Sequence, residues 1–261
     1  MPRAALVALL LLVPPMAAAQ EAPELSESRL RYNADDFDGA IALAAIARAD
    51  PVFAHAASLV IGRAFLERYR ATADPIDLAS GREALASVNA EALTLRDRLA
   101  WMVGLGQALF LDGQPGAAAE IFETALGQRA VLDPAEAQTL LDWWASTLGQ
   151  EASAATGPRR SALFDRIRAR MAQEVLGAPG SPEANYWLVA AARGTADPER
   201  AWDLAAAAWV RSRLAPETVN ALRVDLDRLV IDGVVPELAR VRQVDPTALV
   251  AAWTAFKDLW P

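Results

Sequence analysis

The 261 residues include 33 acidic and 25 basic side chains, a single histidine and no cysteine, and apolar residues make up 54% of the chain. An acidic balance repels phosphates, so nucleic acid is not an expected partner. The missing cysteines exclude disulfide staples, a thiol nucleophile, a redox pair, a lipidated cysteine and cysteine-ligated zinc, so core packing alone must hold the fold.

Residues 1–19 have the three parts of a secretory signal peptide. Arg3 is the positive n-region, Ala4 to Val13 is an apolar run, and Ala17-Ala18-Ala19 follows Pro14 and Pro15 as a small-residue cleavage site. Ten apolar residues are too few to span a hydrocarbon core of about 30 Å. The expectation is an exported chain, periplasmic or secreted, cleaved after Ala19, with no transmembrane segment in the mature part.

From residue 20 to 261 the apolar positions recur at three and four, the period of amphipathic helices, and no segment alternates as a strand would. The cluster Asp35-Asp36-Phe37-Asp38-Gly39 superficially resembles a calcium loop. With Gly39 at the invariant loop glycine, however, Ala34 would hold the first ligand position and Ala45 the bidentate glutamate's. These acids fit a helix start instead. The lone histidine, His55, cannot form a multi-histidine metal site and is expected in a structural role.

Breakers punctuate the chain at Asp50-Pro51, Asp74-Pro75, Gly113-Gln114-Pro115, Asp133-Pro134, Gly157-Pro158, Gly177 to Pro182, Asp197-Pro198, Ala215-Pro216, Val235-Pro236 and Asp245-Pro246. Asp or Ser before Pro suits a helix start, with the first residue capping and Pro in the first turn. About a dozen helices joined by short turns are expected, as antiparallel hairpins in series. Ala40, Ala79 and Ala118 stand 39 residues apart, each early in a predicted second helix where a small residue permits close approach.

One unit carries a recognisable pattern. Leu105-Gly106, Leu109, Gly113, Ala118, Phe122 and Ala125-Leu126 match the tetratricopeptide repeat in residue type and offset, although Trp101 falls one residue early and Ala130 replaces the usual Pro. Over residues 96–127 the chain resembles that family well; the likeness is fair over 34–90 and weak beyond 134. The resemblance implies a right-handed α-solenoid over 20–261, with clearer repeats at 34–130 and degenerate hairpins at 134–261. A compact irregular helical array is the other arrangement compatible with the pattern.

No nucleophile elbow, phosphate loop or dinucleotide-binding motif is present, so no catalytic residue, cofactor or metal is expected. The stretch Arg159-Arg160 to Arg170 is locally basic, and Asp165 and Glu174 mark it as a solvated helix face. Most of the eight tryptophans are expected between helices. Trp143 and Trp144 point about 100° apart on one helix, so at least one is a surface candidate unless both sides are covered. The resemblance implies a concave surface lined by the first helix of each hairpin, and it places Val103, Gln107 and Phe110 there. These three, with Trp143 and Trp144, are the candidate contacts for a protein or peptide partner. Alternatives are a helical-array hydrolase acting through paired carboxylates and a structural subunit of an envelope assembly.

Overall fold

The computed structural model describes residues 22–261, so the expected export signal lies outside the described residues. Among those residues the chain is all-helical. Its elements are α1 (Pro23–Asn33), α2 (Phe37–Ala47), α3 (Ala54–Thr72), α4 (Pro75–Ala86), α5 (Leu95–Leu111), α6 (Pro115–Leu126), α7 (Pro134–Ala154), α8 (Gly157–Gly177), α9 (Pro182–Gly194), α10 (Pro198–Arg211), α11 (Val219–Leu229), α12 (Val235–Arg242) and α13 (Pro246–Leu259). No helix among them is long and apolar enough to cross a membrane.

Side-chain caps explain most of the starts. Asp36 accepts from the Gly39 amide at 3.0 Å, and this bond, with Arg31 beside it, holds the Asp36 carboxyl below the usual carboxylate range. The acids at 35–38 thus serve a helix N-terminus. Asp74, Ser181, Asp197 and Asp245 likewise cap the helices that open on the following proline. Asp133 forms a full capping box with Glu136.

Three expectations from the sequence need correction. Asp50-Pro51 opens a turn, and α3 begins only at Ala54. Val235-Pro236 does not separate two helices: the chain runs helically from α11 into α12 through a π turn at Val230–Val234. Proline lacks an amide proton and crowds the carbonyl four residues back, and widening the preceding turn relieves both. Ala79 is exposed, whereas Ala40 and Ala118 are fully buried. Gly81, two residues on, holds the close crossing of α3 and α4. A Cβ added there would lie 3.1 Å from the Gly62 carbonyl oxygen.

Each helix from α1 to α10 packs on the next, and α1–α3, α3–α5, α7–α9 and α9–α11 also touch. The core accordingly runs along the chain in four groups, from Leu25 and Ile61 at one end to Trp253 at the other. The even helices α2, α4 and α6 turn small residues inward, such as Ala40, Ala44, Gly81 and Ala118. Gly106 on α5 receives the Phe122 ring of α6 so closely that a Cβ would stand 2.5 Å from it. The close approach of α1 to α3 and of α3 to α5 is not repeated between α5 and α7, and a groove opens there, with α6 behind it.

Candidate binding groove

Two cavities meet at Trp143. The first, about 450 Å³, is lined from α1 (Tyr32), α3 (Val60, Arg63), α5 (Ala100, Val103) and α7 (Leu140, Trp143), together with rim residues. The second, about 260 Å³, lies beside it, with Arg70 from α3, Gln107 and Phe110 from α5, Phe122 from α6, and Asp142 and Trp143 from α7. Odd-numbered helices supply nearly all of both walls.

The lining positions keep a register of 40 residues. Val60, Ala100 and Leu140 form one rung of the first cavity, and Arg63, Val103 and Trp143 form the next. Gln107 and Thr147 continue it in the second cavity, and Gln107 bonds to Glu67, 40 residues before it. Within each helix these positions are three or four apart, so they share one face.

Ion pairs hold the rim of the larger cavity. Arg29 meets Asp97 at 3.0 Å, and Arg96 grips both oxygens of Glu136 at 2.6 and 2.8 Å. The half-exposed Arg96–Glu136 pair contributes at most about 1 kcal/mol, so it orients the rim more than it stabilises it. Arg63 differs. Its guanidinium lies 4.8 Å from the Tyr32 ring centroid, its Nε has no hydrogen-bond partner, and it joins no ion pair among the described residues. Burial raises the Tyr32 hydroxyl pKa, with Arg63 opposing that shift.

In the smaller cavity Trp143 sits between the Phe122 ring, 5.9 Å away, and the Arg70 guanidinium, 6.0 Å away. Arg70 is itself bound to Glu67 at 2.6 Å. Gln107, only 5% exposed, donates from Nε2 to Glu67 Oε1 at 3.0 Å. Its Oε1 is buried and has no partner among the described residues. Asp142 accepts from Trp187 Nε1 of α9 at 2.8 Å.

Of the five candidate contacts, four come together here: Val103 in the larger cavity, Gln107 and Phe110 in the smaller, and Trp143 in both. Trp144 does not join them. It is 1% exposed, packed with Leu141, Leu148 and Ile167 in the core, and so offers no surface to a partner. The 100° step between neighbours sends one ring to the groove and the other to the core. Sequence reasoning missed Tyr32 and Arg63. A 40-residue step forward from Arg63 would have led through Val103 to Trp143.

Other singled-out residues have structural partners. His55 Nδ1 accepts from the Asn89 amide at 3.2 Å. In the basic stretch, Arg159 pairs with Glu151, Arg166 with Glu120 and Glu123, Arg168 with Asp165, and Arg170 with Glu174. Among the described residues no cluster of three His, Asp or Glu side chains could hold a metal ion.

Searches against protein-family models, curated proteins and solved structures found no match for this chain. The groove must be interpreted from its own chemistry.

Proposed function

We propose that this chain is an exported, right-handed tetratricopeptide-like solenoid whose concave face, built from α1, α3, α5 and α7, binds a peptide or partner helix in the cell envelope without catalysis of its own. The observation that carries this reading is the constant 40-residue register, which aligns Val60, Ala100 and Leu140, then Arg63, Val103 and Trp143, along one groove. A repeated face of that kind offers an extended ligand the same chemistry several times over. Half-buried Val103, Phe110 and Trp143, flanked by the ion-paired Arg29, Arg70 and Arg96, match the composition of binding hot spots. A step of 40 is longer than the 34 of the tetratricopeptide repeat, so the likeness rests on the hairpin pattern of residues 96–127.

A carboxylate hydrolase would need two acids facing one another and free to exchange protons. In this groove Asp97 and Glu136 are ion-paired and Asp133 caps α7. No specific observation favours that reading.

Export is proposed from residues 3–19. The mature protein is expected in the periplasmic or culture fraction with Gln20 at its N-terminus, and Edman sequencing or mass spectrometry of that fraction checks it. Binding is tested by placing a photo-crosslinking residue at Val103 in the groove and at Ile76, 69% exposed on α4. A discrete crosslinked partner at Val103 and none at Ile76 is expected. Crosslinks only at Ile76, or none at either position, would sink the proposal.

A further inference from the structure

The smaller cavity carries a charge and a hydrogen-bonding capacity that the chain itself does not satisfy. The orientation of the Gln107 amide is decided by its neighbour: a carboxylate only accepts, so the side-chain nitrogen faces Glu67. The carbonyl oxygen is then the atom left buried without a donor, on a side chain only 5% exposed that lines the cavity. Asp142 accepts from Trp187 Nε1 with one oxygen and forms no ion pair among the described residues. Among the described residues Arg70 is the only cation on the wall, and Glu67 balances it. One negative charge thus remains, beside an unfilled acceptor and the rings of Trp143, Phe110 and Phe122.

An occupant that answers all three features must be cationic, must donate hydrogen bonds and must bring an apolar stem to lie along the rings. An anion would meet Asp142, and a neutral donor would leave its charge uncompensated. Aromatic faces attract ammonium groups as well as burying methylenes. The volume of about 260 Å³ falls below the usual range of about 300–1,000 Å³ for whole-ligand pockets, so it suits one side chain. From these observations we propose that the cavity between α5 and α7 is a subsite for a lysine side chain of the bound polypeptide, its ammonium held by Asp142 and the Gln107 carbonyl and its methylenes lying along Trp143 and Phe110.

The identity of the occupant rests on the groove reading, but its test needs no partner protein. The Trp143 indole and Gln107 side-chain amide signals are followed by two-dimensional NMR of the intact protein. Three probes are titrated: n-butylammonium, its neutral isostere 1-butanol, and Nα-acetyl-lysine N-methylamide. Both amines should shift both signals saturably, with butanol at least about tenfold weaker, as expected where a charge-assisted bond is lost. Asp142→Asn should weaken amine binding by about tenfold, and Gln107→Leu should weaken it to a smaller degree, with circular dichroism confirming that each variant is folded. Equal binding of butanol, no loss in folded Asp142→Asn, or no saturable shift overturns the subsite. Binding of butylammonium without binding of the lysine amide overturns the lysine assignment in favour of a free small amine. The groove reading fails separately, in the crosslinking at Val103.

Discussion

The two ends of the molecule stack their helices with different steps. From α3 to α7 the cross-helix partners stand 40 residues apart, as in Glu67–Gln107 and Arg96–Glu136. From α7 onward the separation lengthens: 43 for Gln138–Ser181, 45 for Asp142–Trp187 and 44 for Arg193–Glu237. Between α7 and α9 the cause is local, since the intervening α8 is 21 residues where α4 and α6 are 12. Where the step is constant, successive odd-numbered helices present the same face, and the groove opens where α5 and α7 stand apart. Where it lengthens, α7 and α9 close together, and the Trp187 ring comes within 3.2 Å of where a Cβ on Gly149 would stand.

The two regions are also held differently. Small residues let the N-terminal helices cross closely, as at Gly106 and Phe122. At the C-terminal end Trp253 is fully enclosed, with the rings of Trp202, Trp209 and Phe256 all within 5.7 Å of its own. Trp253→Ala should therefore have the largest effect, costing about 4 kcal/mol. Because helices contact mainly their sequence neighbours, hydrogen exchange should show protection lost first over residues 198–259, with α3 to α6 retained. Uniform loss along the chain would mean that the two regions unfold as one, and the comparison would break.

Gly106→Ala tests the N-terminal packing. The added carbon meets the Phe122 ring, and overpacking of this kind costs about 2 kcal/mol by urea denaturation. An unchanged midpoint would show that the close crossing does not hold α5 to α6. Next comes a pH effect confined to the same region. Asp77, 3% exposed, accepts from Arg68 Nε at 2.8 Å, and that bond holds its carboxyl below the ordinary range. A depressed folded pKa contributes stability above the unfolded value of about 3.9, which is lost as pH falls through the depressed one. The contribution is about 1.5 kcal/mol, the size of a bond to a charged group. Asp77→Asn should lower the midpoint at neutral pH and flatten the acid limb of the stability curve.

The smallest effect contrasts two tryptophans of equal burial. Trp253 Nε1 donates to Asp227 at 2.8 Å, whereas the Trp144 Nε1 is buried without a partner among the described residues. Replacement by Phe should thus cost less at Trp144, under about 1 kcal/mol, because removing an unpaired donor offsets part of the lost contact area. Equal losses at both sites would contradict that account.

Much of the fold was legible from caps and spacing. Asp74, Asp133, Ser181, Asp197 and Asp245 mark helix starts because an oxygen cap and a following proline solve the same problem at each. Asp50-Pro51 looked identical but opens a turn, whereas Val235-Pro236 lacks a cap oxygen and a π turn five residues long absorbs its proline. Counting alanines selected Ala79 in place of Gly81. Two residues along a helix turn the side chain by about 200°, from the crossing to solvent. The groove was legible on α5, where one well-patterned unit pointed to Val103, Gln107 and Phe110. Tyr32 and Arg63 were not legible, because their position depends on which neighbouring helix they face. Trp143 and Trp144 could be separated only once α6 and α8 were seen to cover one side of α7.

The central claim is that the α3–α5–α7 face binds a polypeptide. Its most direct test is the affinity of the partner captured at Val103 for the wild-type chain and for Trp143→Ala, Phe110→Ala and Gln107→Arg, by calorimetry. A loss of about tenfold or more is expected for each folded variant, and the largest for Trp143→Ala, whose ring borders both cavities. Unchanged affinity in all three would contradict the claim.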